Sequence, residues 1–307
     1  MSYLRWMYHE SVLLQKVINK LDIKKNGIYI DATLGGGGVS FEILRRLSGG
    51  VLICFDIDED AIKNFKSLFY LEYKTKFKGM EDSINGNKIF LFRENFSNIK
   101  NSLDTINISK IDGIVYDFGV SSFQIDDASK GFSYMQNSIL DMRMNKDLKI
   151  TAQDLVNGMY ESELEGIFRI YSEEPFSKQI ARNIVKSRKM ERIETSDQLV
   201  AIIKKSIRNQ AYLYHHVSRI FQALRIKINN ELGVIFDSLL LLPDILKHGG
   251  RVVLITFHSG EDRIVKNYFS ESEEFFNLEK KIILPTDEEI FMNKRARSAK
   301  MRVYERK

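Results

Sequence analysis

Residues 28–40, IYIDATLGGGGVS, constrain the fold more than any other stretch of this chain. An apolar run, Ile28 to Ile30, ends in Asp31, and four consecutive glycines follow from Gly35 to Gly38. Phe41, Ile43, Leu44 and Leu47 then recur at helical spacing. Strand, glycine turn and helix form the unit by which an open α/β sheet turns backbone N–H groups toward a nucleotide-like ligand. Glycine is needed where a side chain would block the ligand or forbid the turn.

The rest of the chain fits a sheet of this kind. Short β-rich apolar runs predict strands at 28–31, 51–56, 88–92, 112–117 and 250–256. The first four are separated by segments that can hold helices, which argues for parallel βαβ units. Residues 70–87 are polar and aperiodic and read as a surface loop. From 126 to 221 the strand signal fades and helical periodicity takes over. Thr151-Ala-Gln-Asp154 and Thr195-Ser-Asp-Gln198 have the form of capping boxes. The expected organisation is an α/β domain over 1–125 and 222–307, interrupted by a helical insert over 126–221.

Composition narrows the function classes. A hydrophobic content of 44% over 307 residues supports a large core and excludes global disorder. The single cysteine, Cys54, lies in the apolar run VLICF, so an internal disulfide or a cysteine-based zinc site is excluded. No histidine and acid cluster has metal-ligand spacing, and no metal is expected. The aliphatic run Leu239 to Leu242 meets Pro243 and is too short to span a bilayer. The first residues, with Arg5, His9 and Glu10, lack the apolar core of a signal peptide, which leads to the expectation of a cytoplasmic protein. A net charge of +5 is compatible with a polyanionic partner.

Two familiar readings of the glycine loop fail. A phosphate-binding P-loop needs Gly-Lys-Ser/Thr, and the first lysine after the loop is Lys63. A dinucleotide fingerprint begun at Gly35 needs glycine or alanine at position 40, which is Ser40. Asp31 before the loop and an acid ending the next strand suit a different nucleoside ligand, S-adenosylmethionine. Asp56 in CFDIDED is placed to accept hydrogen bonds from both ribose hydroxyls, with Asp58 as the alternative.

Other candidates lie at later strand ends. Asp117 closes the fourth strand at the ligand-binding edge of such sheets; it either meets an amine there or caps a loop. His258 follows the 250–256 strand and is a second candidate for proton transfer, although a lone histidine is commonly structural. Glu261, Asp262, Arg263 and Lys266 look like a helix start with complementary charges. Lys178, Arg182, Lys186 and Lys189 recur at helical spacing. The C-terminal segment adds Lys294, Arg295, Arg297, Lys300 and Arg302 as a basic tail. Either group could neutralise phosphates or simply be solvated.

Taken together, YHESVLL (8–14), DATLGGGGVS (31–40), DGIVYDFGVSSFQIDDASKGFSYM (112–135) and LDMRMN (140–145) resemble the MraW, or RsmH, family of bacterial 16S rRNA (cytosine-N4) methyltransferases. RIFQALRIKINNEL (219–232), GGRVVLITFHSGEDRIVK (249–266) and RARSAKMR (295–302) extend the resemblance over nearly the whole chain. It implies a class I, Rossmann-like methyltransferase domain with a mostly parallel seven-stranded sheet and a helical insert for substrate recognition. It implies S-adenosylmethionine as methyl donor. The implied substrate is a cytosine of the decoding (P-site) region of 16S rRNA in the small ribosomal subunit. By position, the family's cofactor contacts fall on Gly37, Gly38, Val39, Asp56, Phe96, Asp117 and Gln124. The catalytic candidates are Asp117 and His258. RNA-binding candidates are Lys178, Arg182 and Lys186 of the insert, and Arg295 and Arg297 of the tail. The family usually has histidine where this chain has Val39 and proline where it has Phe123.

Overall fold

The computed structural model describes residues 11–77 and 79–307. Arg5, His9, Glu10 and the first three residues of the 8–14 motif lie outside them. The chain divides into two compact units, Met1–Gly119 with Leu232–Lys307, and Val120–Glu231. The limits of the second unit are thus 120 and 231, where the sequence suggests 126 and 221. Among the described residues, no helix is long and apolar enough to cross a membrane.

The first unit is built on one sheet. Its strands are β1 (Ile28–Asp31), β2 (Val51–Phe55), β3 (Glu81–Ile84), β4 (Asn87–Phe92), β5 (Ile111–Asp117), β6 (Leu246–Thr256), β7 (Phe275–Asn277) and β8 (Lys300–Arg306). They lie in the order β3-β4-β2-β1-β5-β6-β8-β7. The pairs β1–β2, β1–β5, β2–β4 and β5–β6 are parallel, and β3, β7 and β8 pair antiparallel with their neighbours. The sheet has eight strands, one more than the expected seven. The addition is β3, which lies within the segment expected to be a loop. Its residues are half or fully exposed on an edge, and a polar edge strand carries little hydrophobic signal. Asn85 and Gly86 turn the chain into β4 with φ of 50° and 80°, the two positive values a tight hairpin turn requires.

The helices are α1 (Leu14–Leu21), α2 (Gly38–Arg46), α3 (Glu59–Tyr73), α4 (Ile99–Thr105), α5 (Ser122–Asp126), α6 (Ala152–Gly158), α7 (Glu161–Ser172), α8 (Ser177–Arg188), α9 (Ser196–Ser206), α10 (Leu213–Asn229), α11 (Glu231–Ile245), α12 (Ser259–Glu271) and α13 (Asp287–Met292). Alternation along the central strands assigns them to two layers. Tyr29, Leu52, Cys54, Leu91, Val115 and Val253 pack with Val17, Phe41 and Phe65 of α1, α2 and α3. Their neighbours Ile30, Ile53, Phe55, Phe92, Ile114 and Leu254 pack with Leu103, Leu239 and Val265 of α4, α11 and α12. Residues one apart in a strand face opposite sides, and both faces are covered, so the strands read as continuous apolar runs.

The C-terminal segment is a strand rather than a tail. In β8, Met301 and Val303 are buried in the sheet. Arg302 and Lys300 reach Asp262 of α12 at 2.8 and 3.4 Å. Paired in this way, the two basic side chains are committed to the fold.

The second unit is helical around its own core, which includes Leu155, Phe168, Ile184, Leu199, Val217 and Phe221. Both expected capping boxes are present, at Thr151 of α6 and Thr195 of α9. The helix α10 runs on to Asn229 because its apolar face continues through Leu224 and Ile226, which carries the unit past residue 221.

One buried amide holds the turn into β2. Asn87, 2% exposed, accepts from the Gly49 and Gly50 N–H groups at 2.8 and 3.1 Å. Its Nδ2 donates to the Leu47 and Leu44 carbonyls. Asn87→Ala leaves several buried backbone groups without a partner, each costing about 1–3 kcal/mol. Denaturant unfolding followed by circular dichroism should show a loss of about 2–4 kcal/mol for the transition of this unit. A loss under about 1 kcal/mol would show that water replaces the amide.

Candidate cofactor site

The strand order reverses direction beside β1. From there the chain steps outward to β2 and β4 on one side, and to β5 and β6 on the other. Ligands of open α/β sheets bind at the carboxyl ends of strands at such a switch point. Asp31 ends β1, Asp117 ends β5, and Asp56 directly follows β2. Parallel pairing, with Asp31 level with Cys54 and Val115, brings the three tips to one edge.

Hydrogen bonds from the glycine loop and its approach tie these acids together. Asp31 accepts from Ser40 Oγ at 2.6 Å and from the Thr33 N–H at 3.2 Å. Thr33 Oγ1 in turn accepts from the Asp117 N–H at 2.7 Å. Asp56 accepts from the Gly35 N–H at 2.8 Å and from the Asp58 N–H at 2.8 Å. Asp117 Oδ1 is buried and has no hydrogen-bond partner. Such an atom is costly unless a ligand supplies the missing donor.

The electrostatics follow from the burial of Asp31 and the half-burial of Asp56 and Asp117. Asp31 is pushed up to about 6 by burial, against the hydrogen bonds of Ser40 and Thr33. Burial lifts Asp56 to about 7, opposed by the Asp58 and Gly35 N–H groups and aided by the charges of Asp58 and Asp31. Asp117 rises furthest, to about 8, through burial and the nearby Asp31 and Glu261 carboxylates. Three acids that resist ionisation at one edge suit a cationic ligand carrying donors.

Within the loop, different glycines meet different demands. A Cβ on Gly37 would lie 2.7 Å from the Phe65 ring, at a φ of 80°. One on Gly38 would collide with Ser11 Oγ. Both positions are therefore fixed by the protein's own packing. Gly36 has open space where a side chain would go, so the backbone can be approached closely there. Gly37 donates its N–H to the Leu34 carbonyl at 2.7 Å, which shapes the loop. Gly38 and Val39 begin α2, whose first N–H groups point out of the helix end. The Val39 side chain is 5% exposed and belongs to the core.

The other predicted residues are distributed as follows. Phe96 begins a 3₁₀ turn after β4 and packs on Tyr116 and Phe118, with ring centroids 5.7 and 5.9 Å away. Asp58 caps α3 through the Asp60 N–H, which sets it apart from Asp56. In the second unit, Gln124 forms a capping box with Ser121 at the start of α5. Lys178, Arg182 and Lys186 lie exposed along α8, and Arg182 is 3.7 Å from Glu161. Arg295 and Arg297 are exposed on a 3₁₀ turn before β8.

His258 has a structural task that the sequence did not reveal. It is the N-cap of α12, and its Nδ1 accepts from the Gly260 and Glu261 N–H groups at 3.2 and 3.4 Å. That arrangement places the ring proton on Nε2, 3.1 Å from Glu261 Oε1. The lone pair a general base would need is engaged in capping, so the expectation of a proton-accepting His258 is corrected. Thr33 and Ser40, by contrast, were absent from the predicted set. Their signal is a hydroxyl two and nine residues after Asp31, which only the folded loop brings back to it.

Comparison with known proteins finds relatives along nearly the whole chain. The MraW methylase family model matches residues 6–307. Ribosomal RNA small subunit methyltransferase H of Clostridioides difficile (strain 630) is 42% identical over 320 residues, covering 97% of this chain and 99% of that protein. The protein of the same name from Dictyoglomus thermophilum is 43% identical over 302 residues, covering 97% of each. The one from Limosilactobacillus fermentum is 42% identical over 318 residues, covering 97% of this chain and 98% of that protein. The chain belongs to the MraW methylase family, and its sheet is that of a class I S-adenosylmethionine-dependent methyltransferase.

Proposed function

We propose that this protein methylates N4 of a cytosine in the decoding (P-site) region of 16S rRNA, acting in the cytoplasm on the small ribosomal subunit. The observation that carries the reading is Asp117 Oδ1, a buried acceptor with no hydrogen-bond partner at the switch point of a methylase fold. Small-subunit ribosomal RNA as the substrate is supported by the names of the relatives.

The cradle fits S-adenosylmethionine. Asp56 retains lone pairs beyond those used by Gly35 and Asp58, and these can accept from the ribose hydroxyls. Open space at Gly36 and the N–H groups of Gly38 and Val39 suit a polar group laid against the loop. Phe96 offers an apolar wall. The chemistry the cofactor supplies when bound is a methyl group on a positively charged sulfur, open to in-line displacement.

The protein must then activate a poor nucleophile. The N4 lone pair of cytosine is delocalised into the ring, and the amine loses one proton as the new C–N bond forms. Asp117 accepts a hydrogen bond from that amine, drawing N4 toward pyramidal geometry, and in the ionised form that the bound cation favours it takes the proton. Alignment of donor and acceptor supplies most of the remaining acceleration. The exposed cations of α8, with Arg295 and Arg297, are assigned to RNA phosphates.

Three outcomes test this reading. Asp117→Ala should lower methylation of unmodified small subunits at least about 100-fold. Its melting temperature at pH 8 should be unchanged or higher, because a carboxylate that resists ionisation is removed. N4-methylcytidine, measured by mass spectrometry of digested 16S rRNA, is the readout; near-normal product from the variant would remove Asp117 from the mechanism.

The raised acids also predict a sign for pH effects. Their stabilising contribution to the ligand-free fold is present at acidic pH and is lost as pH rises through 6 to 8. A cation favours their ionised forms, so S-adenosylmethionine should bind more tightly as pH rises over that range. Calorimetry at pH 7 in two buffers of different ionisation enthalpy should report net proton release. Uptake of protons, or no exchange, would contradict the assignment.

Reversing charge with Arg182→Glu and Lys186→Glu should weaken RNA binding. The slope of log K against log salt should fall by about one to two, with cofactor affinity unchanged. An unaltered slope would free α8 from RNA contact.

A further inference from the structure

The second unit presents a surface that the reading above leaves unused. The helix α10 buries Leu213, Val217, Ile220 and Phe221, and its opposite side exposes Tyr214, His215, Ser218 and Arg219. Tyr212, just before the helix, is 60% exposed and Tyr214 is 61% exposed. Neither ring is needed by the core.

The rings are nevertheless held in place. Tyr214 stacks on Tyr134, with centroids 6.3 Å apart and an interplanar angle of 27°. Tyr134 is braced edge-on by Phe221 of the core at 5.5 Å. Tyr212 lies 6.1 Å from the His215 ring. The result is an ordered aromatic surface with open faces.

The segment that carries it has charge of one sign. From Lys204 to Asn230 the sequence contains no Asp or Glu. Lys204, Lys205, Arg208 and Arg219 are exposed along the first part of this run. The acid facing Arg219 is Glu174, at 3.8 Å, and that carboxylate is buried and hydrogen-bonded to His216 Nδ1 at 2.9 Å. Among the described residues from 204 to 219, no exposed side chain is a large aliphatic, so an apolar protein partner is poorly matched. Aromatic faces interleaved with cations match unpaired nucleotides, whose bases stack while their phosphates meet positive charge.

We propose that Tyr214, on the Tyr134 support, and Tyr212, beside the His215 ring, offer stacking faces to unpaired bases of an RNA strand. It rests on the rRNA reading above and adds to it a site for nucleotides other than the methylated one. The platform distinguishes single strands from duplexes, because paired bases cannot offer their faces.

The test uses the full chain and a fluorescein-labelled 12-nucleotide single-stranded RNA of mixed sequence, alone or annealed to its complement, read by anisotropy. Tyr212→Ala with Tyr214→Ala should weaken single-strand binding about tenfold or more. Duplex binding should stay within about twofold, and the paired Tyr→Phe variant should keep single-strand affinity within about threefold. Both positions are exposed, and circular dichroism of each variant checks the fold. Single-strand binding unchanged by alanine would overturn the platform, as would an equal loss for duplex and single strand, or a loss in the phenylalanine variant equal to that of alanine. Methylation of unmodified small subunits by the wild type is measured alongside. Its failure would sink the rRNA reading and leave the binding result standing on its own.

Discussion

Three carboxyl groups gathered at neighbouring strand tips are the constraint on which the first unit turns. Water would ordinarily solvate such acids, and burial removes that support. The loop after β1 supplies part of the replacement, through the Thr33 and Gly35 N–H groups and Ser40 Oγ. What it leaves undone falls on Asp117, whose Oδ1 has no donor. Burial thus holds these acids partly protonated in the ligand-free sheet. A cationic ligand relieves the same constraint, so binding and proton release become one event.

The glycine loop shows how packing and binding share a short segment. Gly37 makes room for Phe65, and Gly38 makes room for Ser11; these are demands of the core. Gly36, with open space beyond it, carries the signature of a ligand-facing residue. Val39 stands where the family usually has histidine. Its buried side chain makes the substitution one of core packing, while the helix-end N–H is unaffected.

Much of this was legible in the sequence because strong periodicity and strong turn chemistry agree. β1, β2, β4 and β5 are buried on both faces, and their unbroken apolar runs expose them. Asp31, Asp56 and Asp117 stand out because each follows such a run. The rest was hidden for identifiable reasons. β3 is a polar edge strand whose one clear sign is the Asn85-Gly86 pair. β8 alternates Met301 and Val303 with basic residues, so its cations masked its strand period. His258 looks catalytic from its place after a strand, whereas its capping of α12 depends on backbone N–H groups that only the fold orients. Tyr212 and Tyr214 carry no sequence signal of their own, because only the fold decides that their rings are exposed.

The most direct measurement is a carbon-13 NMR titration of aspartate carboxyl groups in the labelled protein, with Asp117→Asn used for assignment. Without cofactor, Asp117 should titrate near 8, with Asp56 and Asp31 near 7 and 6. Addition of S-adenosylmethionine should move the Asp117 midpoint clearly downward. Titration of all three near 4, unmoved by the cofactor, would contradict the account.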